Sequence, residues 1–221
     1  MPDPFVNGLR AEGLACRRGR QRLFSGLGLR VAPGQAMWLR GPNGSGKTSL
    51  LRILAGLARP QAGQAWFEGA PVHALAPAQR GRLRYLGHAN ALKSELRVGE
   101  ALGFLAGLYG DDAAVSRGRV AQALEQMGLA GQLDAVVGSL SQGQQRRAAL
   151  ARLMLDETPR TWLLDEPLDA LDAEGSERFE AWLQAHVARG GAVLTTSHAP
   201  LRCAGLLVFE LVPVGAEAAV P

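Results

Sequence analysis

An octapeptide restricts the fold of this chain more than any other feature: Gly41-Pro42-Asn43-Gly44-Ser45-Gly46-Lys47-Thr48 matches the pattern GxxxxGK[ST]. We predict an apolar strand before it, over Ala36–Arg40, and an amphipathic helix over Lys47–Leu57. Glycines let the backbone wrap a phosphate with its N–H groups pointing inward, and the helix adds the positive end of its dipole. The loop therefore indicates a nucleoside triphosphate site, and the alternative is a glycine-rich turn without a ligand.

Two side chains of this loop have distinct expected roles. Lys47 is expected to reach the β- and γ-phosphates, and the hydroxyl of Thr48 is expected to hold Mg²⁺. The expected phosphate-binding residues are Gly41, Pro42, Asn43, Gly44, Ser45, Gly46, Lys47, Thr48 and Ser49.

Two adjacent carboxylates follow a second apolar strand, which we predict over Thr161–Leu164. Because successive strand residues face opposite ways, Asp165 and Glu166 can take separate roles. Asp165 suits a contact with Mg²⁺, and Glu166 suits a general base that polarises an attacking water. Such a pair on its own is often a solvated turn, but the phosphate loop upstream favours the functional interpretation.

The rest of the chain alternates between short strands and helices, which is typical of an α/β fold. Further strands are predicted over Val6–Cys16, Leu27–Val31, Gln64–Glu68, Ala192–Thr196 and Leu206–Leu211, and further helices over Val98–Tyr109, Ser116–Met127, Gln144–Asp156 and Ala173–Ala188. We therefore predict a nucleotide-binding core of residues 1–88 and 158–212, a helical subdomain of residues 89–157 and a frayed tail at 213–221.

Composition excludes several other classes of protein. Hydrophobic residues make up 47% of the 221 residues, so a sizeable core is expected. The longest strongly apolar stretch, near Gly205–Val212, is too short to cross a bilayer, and the N-terminus predicts no secretory or twin-arginine signal. Cys16 and Cys203 are predicted to be reduced thiols. The net charge of +4 is spread along the chain and does not indicate nucleic acid.

A third motif, Leu140-Ser141-Gln142-Gly143-Gln144, lies between the phosphate loop and the acidic pair. As an isolated pentapeptide it fits a helix cap without a ligand. In this order it resembles the signature LSxGQ of the ATP-binding-cassette ATPases. The resemblance extends to Asp172, at the place of the family's D-loop, and to His198, at the place of the switch histidine that contacts the γ-phosphate.

This resemblance implies a P-loop NTPase fold, with a RecA-like core, an antiparallel β subdomain and a helical signature subdomain. It also implies hydrolysis of ATP with Mg²⁺. In the family, two cassettes face each other head to tail and each ATP lies between them. The chain is thus expected to form a homodimer in which Ser141, Gly143 and Gln144 contact the nucleotide of the other copy.

Two positions depart from the family pattern. Where family members have an aromatic residue that stacks on adenine, this chain has Arg18, which either stacks through its guanidinium or is a solvated side chain. Where the family has the glutamine of its Q-loop, this chain has His88, which is either a catalytic or coupling residue or an ordinary surface histidine.

The stretches Gly87–Lys93, Gly143–Arg152 and Leu14–Arg18 resemble one branch of the family, the ATP-binding subunits of haem export systems for cytochrome c maturation. This resemblance implies integral membrane subunits as partners, a peripheral location on the cytoplasmic side of the inner membrane, and no nucleic acid. Haem is expected to bind those partners, since the chain has no CxxCH motif. The alternatives are a cassette for another cargo (a metal, lipid or small molecule), a cassette acting on DNA or ribosomes, and a P-loop kinase or GTPase.

Overall fold

A computed structural model gives the structure of the protein and describes residues 8–108, 113–155, 158–198 and 201–212. The predicted tail at 213–221 lies outside these residues. The chain divides into two compact units. The first comprises residues 1–85, 159–165 and 186–221, and the second comprises 86–158 and 166–185. The second unit thus contains the predicted helical segment together with residues 166–185, which the sequence analysis assigned to the core.

Two sheets build the first unit. The antiparallel sheet has the strand order β2-β1-β4-β5, and the parallel sheet has the order β6-β7-β8-β3-β9. The strands are β1 (Leu9–Arg18), β2 (Gln21–Val31), β3 (Ala36–Arg40), β4 (Ala62–Phe67), β5 (Ala70–Pro71), β6 (Leu83–Leu86), β7 (Thr161–Leu164), β8 (Ala192–Thr196) and β9 (Leu207–Glu210).

Helices account for most of the second unit. The helices of the chain are α1 (Lys47–Leu54) and α2 (Pro77–Arg80) in the first unit, then α3 (Val98–Leu108), α4 (Ala113–Gln126), α5 (Gln142–Ala151) and α6 (Ala173–Ala188). The last residues of α6, from His186 onward, belong to the first unit. Short 3₁₀ turns lie at Val72–Ala74, Val137–Ser139 and Arg152–Met154.

The core of the first unit is formed by residues of both sheets and of α1. Every residue of β7 and β8 is buried, as expected for parallel strands covered on both faces. Helix α1 contributes Leu50, Leu51, Ile53 and Leu54, whose helical spacing places them on one buried face. This packing fixes the strand ends and the start of α1, where the phosphate loop lies.

The predicted bounds of β3, β7, β8 and α6 match those of the structure. Helix α1 ends at Leu54 because Gly56 has a φ of +71°, and an added Cβ there would lie 2.4 Å from the carbonyl oxygen of Val72. Strand β2 is longer than predicted, since it begins at Gln21. Its alternation of buried and exposed residues is interrupted at Ser25 and Gly26, which hides the strand pattern in the sequence.

Across the described residues, no helix is both long and apolar enough to span a membrane.

Candidate nucleotide site

The phosphate loop connects β3 to α1, as predicted, and its backbone has conformations that favour glycine. Gly46 has a φ of +102° and precedes the first residue of α1, so the amides of the first helical turn open toward the loop. An added Cβ at Gly46 would lie 3.0 Å from Cβ of Leu23 and 3.2 Å from the ring of Phe24. Glycine is therefore required here both by backbone conformation and by close packing.

Two polar side chains in the loop are disposed for an anion. The Nζ of Lys47 donates to the carbonyl oxygen of Gly41 at 2.7 Å and lies 3.4 Å from that of Pro42. The hydroxyl of Ser45 is buried and has no hydrogen-bond partner among the described residues. A buried hydroxyl without a partner is costly, so this part of the loop has an unused donor. Among the described residues, the ammonium group of Lys47 donates to carbonyl oxygens of the same loop.

Asp165 lies at the carboxyl end of β7 and is 3% exposed. Its Oδ1 accepts a hydrogen bond of 2.9 Å from the hydroxyl of Thr196, the last residue of β8. The parallel register pairs Leu164 with Thr195, which brings these two strand ends together. This contact of Thr196 was not predicted, because in the sequence Thr196 is marked only by its position at the end of a buried strand.

The segment that carries His198 is anchored to the sheet. Trp38 in β3 donates from its indole Nε1 to the carbonyl oxygen of Ser197 at 3.0 Å. This bond holds the chain just before His198, whose side chain is exposed. This contact of Trp38 was not predicted, because an apolar strand residue gives no indication of a polar contact.

Arg18 is exposed at the end of β1, opposite Gln21 in the hairpin. Phe24, the aromatic residue nearest to Arg18 in sequence, is 2% exposed and is therefore part of the core. Burial raises the pKa of the nearby Cys16 thiol, and a hydrogen bond with the hydroxyl of Ser49 opposes that shift. The hydrogen bond between Cys16 and Ser49 thus connects β1, which also carries Arg18, to the first turn of α1.

The signature segment begins α5 in the second unit. Ser141 is the N-cap: its Oγ accepts from the amide of Gln144 at 3.2 Å, and the Oε1 of Gln144 accepts from the amide of Ser141 at 2.9 Å. The helix therefore starts two residues earlier than predicted. Gly143 packs so closely that an added Cβ would lie 2.8 Å from the carbonyl oxygen of Ala170.

Glu166 lies in the second unit and has a φ of +49°, a conformation that L residues rarely adopt. Its carbonyl oxygen accepts a hydrogen bond from the amide of Asp169 at 3.2 Å and another from the guanidinium of Arg146. Arg146 is buried in the signature helix and was not predicted as a site residue. It lies within the stretch Gly143–Arg152, but burial was not expected there, because an arginine in a polar helix is usually exposed.

Two further predicted residues lie in the second unit. The Nδ1 of His88 is 3.5 Å from an Oδ2 of Asp169, and the imidazole is largely exposed. Asp172 precedes α6, and its Oδ1 accepts from the amide of Gly175 at 2.8 Å, so it caps that helix. The predicted site residues are thus distributed over both units. The first unit contains the phosphate loop, Asp165 and His198. The second unit contains the signature, Glu166, His88 and Asp172.

The oxygen donors of the first unit fit Mg²⁺. Thr48 lies in the first turn of α1 with an exposed side chain, and Asp165 offers a buried carboxylate at the end of β7. Hydroxyl and carboxylate oxygens are the ligands that this hard cation prefers. The residues present are therefore suitable for the metal that the loop predicts.

Comparison with known proteins determines the family. The family model for ABC transporters matches residues 24–169, which span the loop, the signature and the acidic pair. This chain belongs to the ABC transporter family. The protein is therefore a cassette subunit that binds and hydrolyses ATP, as the sequence predicted.

Curated relatives match this cassette over nearly its whole length. The "Cytochrome c biogenesis ATP-binding export protein CcmA" of Alkalilimnicola ehrlichii is 47% identical over 96% of this chain and 91% of its own. The protein of the same name from Nitrosomonas europaea is 42% identical over 96% of this chain and 97% of its own.

Solved structures confirm the predicted P-loop NTPase fold of the cassette. "Dimeric Structure of MJ0796, a Bacterial ABC Transporter Cassette" has a TM-score of 0.79 at 20% identity, and covers 92% of this chain and 94% of that one. A putative ABC transporter ATP-binding protein from Pyrococcus furiosus has a TM-score of 0.78 at 23% identity, and covers 93% of this chain and 98% of that one.

Proposed function

We propose that this cassette is the ATP-hydrolysing subunit of a membrane complex that exports or delivers haem during the biogenesis of c-type cytochromes. The observation that carries the proposal is the 42–47% identity to proteins named for that process, over most of both chains. This similarity extends over the segments around Arg18 and His88, where the sequence departs from the general cassette pattern. It also extends over the segment around Arg146, which has a branch-specific motif.

The first unit binds the triphosphate. Backbone amides of the loop and the start of α1 surround the phosphates, and the Nζ of Lys47 exchanges its bond to the carbonyl of Gly41 for one to a phosphate oxygen. The unpartnered hydroxyl of Ser45 is an additional donor within the loop. Arg18, exposed at the end of β1, is the candidate for stacking on the adenine.

Hydrolysis requires a base and stabilisation of negative charge. Glu166 accepts the proton of the attacking water, and His198 donates a hydrogen bond to the γ-phosphate. Mg²⁺, when bound, would be held by Thr48 and Asp165 and would neutralise phosphate charge. The hydrogen bond from Thr196 fixes the orientation of the Asp165 carboxylate.

The complete site requires two copies. The signature of one copy, with Ser141, Gly143 and Gln144, closes on the ATP held by the loop of the other. The amide end of α5 favours an anion there, and the Ser141 hydroxyl, which accepts a bond from Gln144, still has its proton to donate. Asp172 lies in the family's D-loop and contributes to the same interface. ATP thereby stabilises the closed dimer, and its hydrolysis allows the dimer to open.

The membrane subunits are proposed to bind the haem and to dock on residues His88–Lys93 and the helices of the second unit. We accordingly propose a location at the cytoplasmic side of the inner membrane and no nucleic acid as a partner. The closing and opening of the dimer is then the motion that drives those subunits.

The test is affinity purification of the tagged protein from membranes, with identification of the integral proteins that accompany it and an absorption spectrum. We expect membrane subunits and a Soret band in the wild-type preparation, and loss of mature cytochrome c in cells with Lys47→Ala as the matched inactive variant. Normal cytochrome c maturation in Lys47→Ala cells, or copurified subunits with another cargo and no haem, would contradict the proposal.

A further inference from the structure

We propose that Arg146 is a positioning residue for hydrolysis: its guanidinium fixes the main chain at Glu166 and the loop around His88 at the same time. The inference rests on the proposed role of Glu166 as the general base. It adds a residue that neither the phosphate loop nor the signature pattern identifies.

One side of the guanidinium binds the turn after β7. The Nε of Arg146 donates to the carbonyl oxygen of Pro167 at 3.1 Å, and Nη2 donates to the carbonyl oxygen of Glu166. Arg146 is only 2% exposed, so both bonds lie away from solvent. Burying a cation is costly unless oriented acceptors surround it, and these two carbonyls are such acceptors.

The other side binds the loop between β6 and α3. Nη1 of Arg146 lies 3.2 Å from the carbonyl oxygen of Gly87, 3.4 Å from that of His88 and 3.3 Å from Oδ1 of Asn90. The planar guanidinium presents its donors in a fixed fork, so it can reach two chain segments in one plane. A single ammonium group has no such span, and an uncharged amide has fewer donors.

The conformation of Glu166 explains why this support matters for the reaction. A residue with a Cβ at a φ of +49° is strained and persists only where surrounding groups hold it. Here the carbonyl oxygen of Glu166 receives two donors, from Arg146 and from the amide of Asp169. Without Arg146 the backbone is expected to relax and to displace the Glu166 carboxylate from the position of the attacking water.

The same contacts form a closed network within the second unit. Arg146 binds the main chain of both Glu166 and His88, Asp169 donates to the carbonyl of Glu166, and the carboxylate of Asp169 faces the imidazole of His88 at 3.5 Å. A shift of the His88 loop therefore acts on the chain that carries Glu166. Arg146 contacts the main chain on both sides of the network, at Glu166 and at His88.

The experiment compares nucleotide affinity with turnover in purified full-length protein. For Arg146→Gln we expect a Kd for fluorescent ATP within about twofold of wild type and a turnover lower by about 10- to 100-fold, since a displacement of about 1 Å can have that effect. Arg146→Lys is expected to remain low as well. Arg117→Gln, at an arginine of the same unit that is 65% exposed, serves as the matched control and should keep wild-type turnover.

Full turnover in Arg146→Gln or in Arg146→Lys would overturn the proposal. If Arg146→Gln does not fold, Asn90→Ala decides instead, because it removes one acceptor from a half-buried loop residue. It should keep the ATP affinity and melting temperature and lose turnover by about threefold, whereas unchanged turnover overturns the proposal. Glu166→Gln, measured in parallel, separates the two inferences. If Glu166→Gln still hydrolyses ATP, the assignment of Glu166 as the base fails. If it does not, the Arg146 variants test the role of Arg146 alone.

Discussion

Glu166 combines a proposed chemical role with a backbone conformation that is unfavourable for its residue type. Its φ of +49° places this residue in the left-handed region directly after Asp165. Asp165 is buried at the end of β7, whereas Glu166 is half-buried. This difference in surroundings is consistent with the separate roles proposed for them, a ligand of Mg²⁺ for Asp165 and a general base for Glu166.

Replacing the base tests this assignment. In Glu166→Gln we expect ATP affinity to remain within about twofold, turnover to fall by about 10²- to 10⁴-fold, and a nucleotide-bound dimer to accumulate. Equilibrium titration, phosphate release and size-exclusion chromatography measure the three effects. Glu125→Gln, at an exposed position of α4, is the matched control. A Glu166→Gln protein that is monomeric with ATP and turns over normally would refute the assignment.

Thr196 is proposed to orient the carboxylate of Asp165. Its hydroxyl donates to Asp165 in a place with no solvent access, so Thr196→Val removes one donor from a buried carboxylate and keeps the side-chain shape. We expect the free energy of unfolding to decrease by about 1–3 kcal/mol and the Mg²⁺ concentration for half-maximal turnover to rise. Thr195→Val, whose neighbouring hydroxyl bonds to a carbonyl instead, should leave the Mg²⁺ dependence unchanged. Equal Mg²⁺ dependence in both variants would show that Thr196 does not orient Asp165.

At the scale of elements, the start of α5 has two tasks that substitution can separate. Ser141 caps the helix through its oxygen and is proposed to donate its proton to the partner's ATP. Ser141→Ala should lose about 1 kcal/mol of stability, while Ser141→Asp should keep the cap and the melting temperature. Both should lose turnover, since neither has the hydroxyl proton. A Ser141→Asp protein with wild-type turnover would show that the segment is only a helix cap.

The end of α6 makes the stability of the first unit dependent on pH. Burial lowers the pKa of His186 to about 4, and its ring stacks on Trp162 with the centroids 3.5 Å apart. The imidazole of His186 therefore binds a proton more readily in the unfolded chain than in the folded chain. As the pH falls from 6.5 toward 4, we expect stability to decrease by up to about 3 kcal/mol.

Urea unfolding across this pH range measures the effect. His186→Gln should remove most of the decrease, because glutamine does not titrate, whereas His73→Gln, at an exposed histidine, should retain it. A decrease of the same size in His186→Gln would contradict the assignment to this residue.

The elements differ in how well the sequence predicted them. β3, β7 and β8 were predicted with correct bounds because a buried parallel strand is a short apolar run between clear turn residues. β6 was missed, since Arg84 and Tyr85 interrupt its apolar pattern. The site motifs were predicted from local spacing, but the contacts of Thr196 and Arg146 join segments 31 and about 20 to 60 residues apart, and no local pattern encodes such pairs.

Two copies of the whole chain are required for the proposed site. The phosphate loop and Asp165 belong to one compact unit, and the signature belongs to the other. A head-to-tail pair would give each ATP a loop from one copy and a signature from its partner. The proposed coupling to membrane subunits requires this pairing to change with nucleotide.

Cysteine crosslinking can detect the nucleotide-dependent pairing of two copies. In Glu166→Gln protein with Cys16 and Cys203 replaced by serine, cysteines are placed at the exposed positions Asn43 and Gln142, beside the loop and the signature. We expect ATP to produce a crosslinked dimer that is absent without nucleotide and absent when Lys47→Ala is added. Failure of the two cysteines to join two copies with ATP, or crosslinking to the same extent without it, would contradict the account.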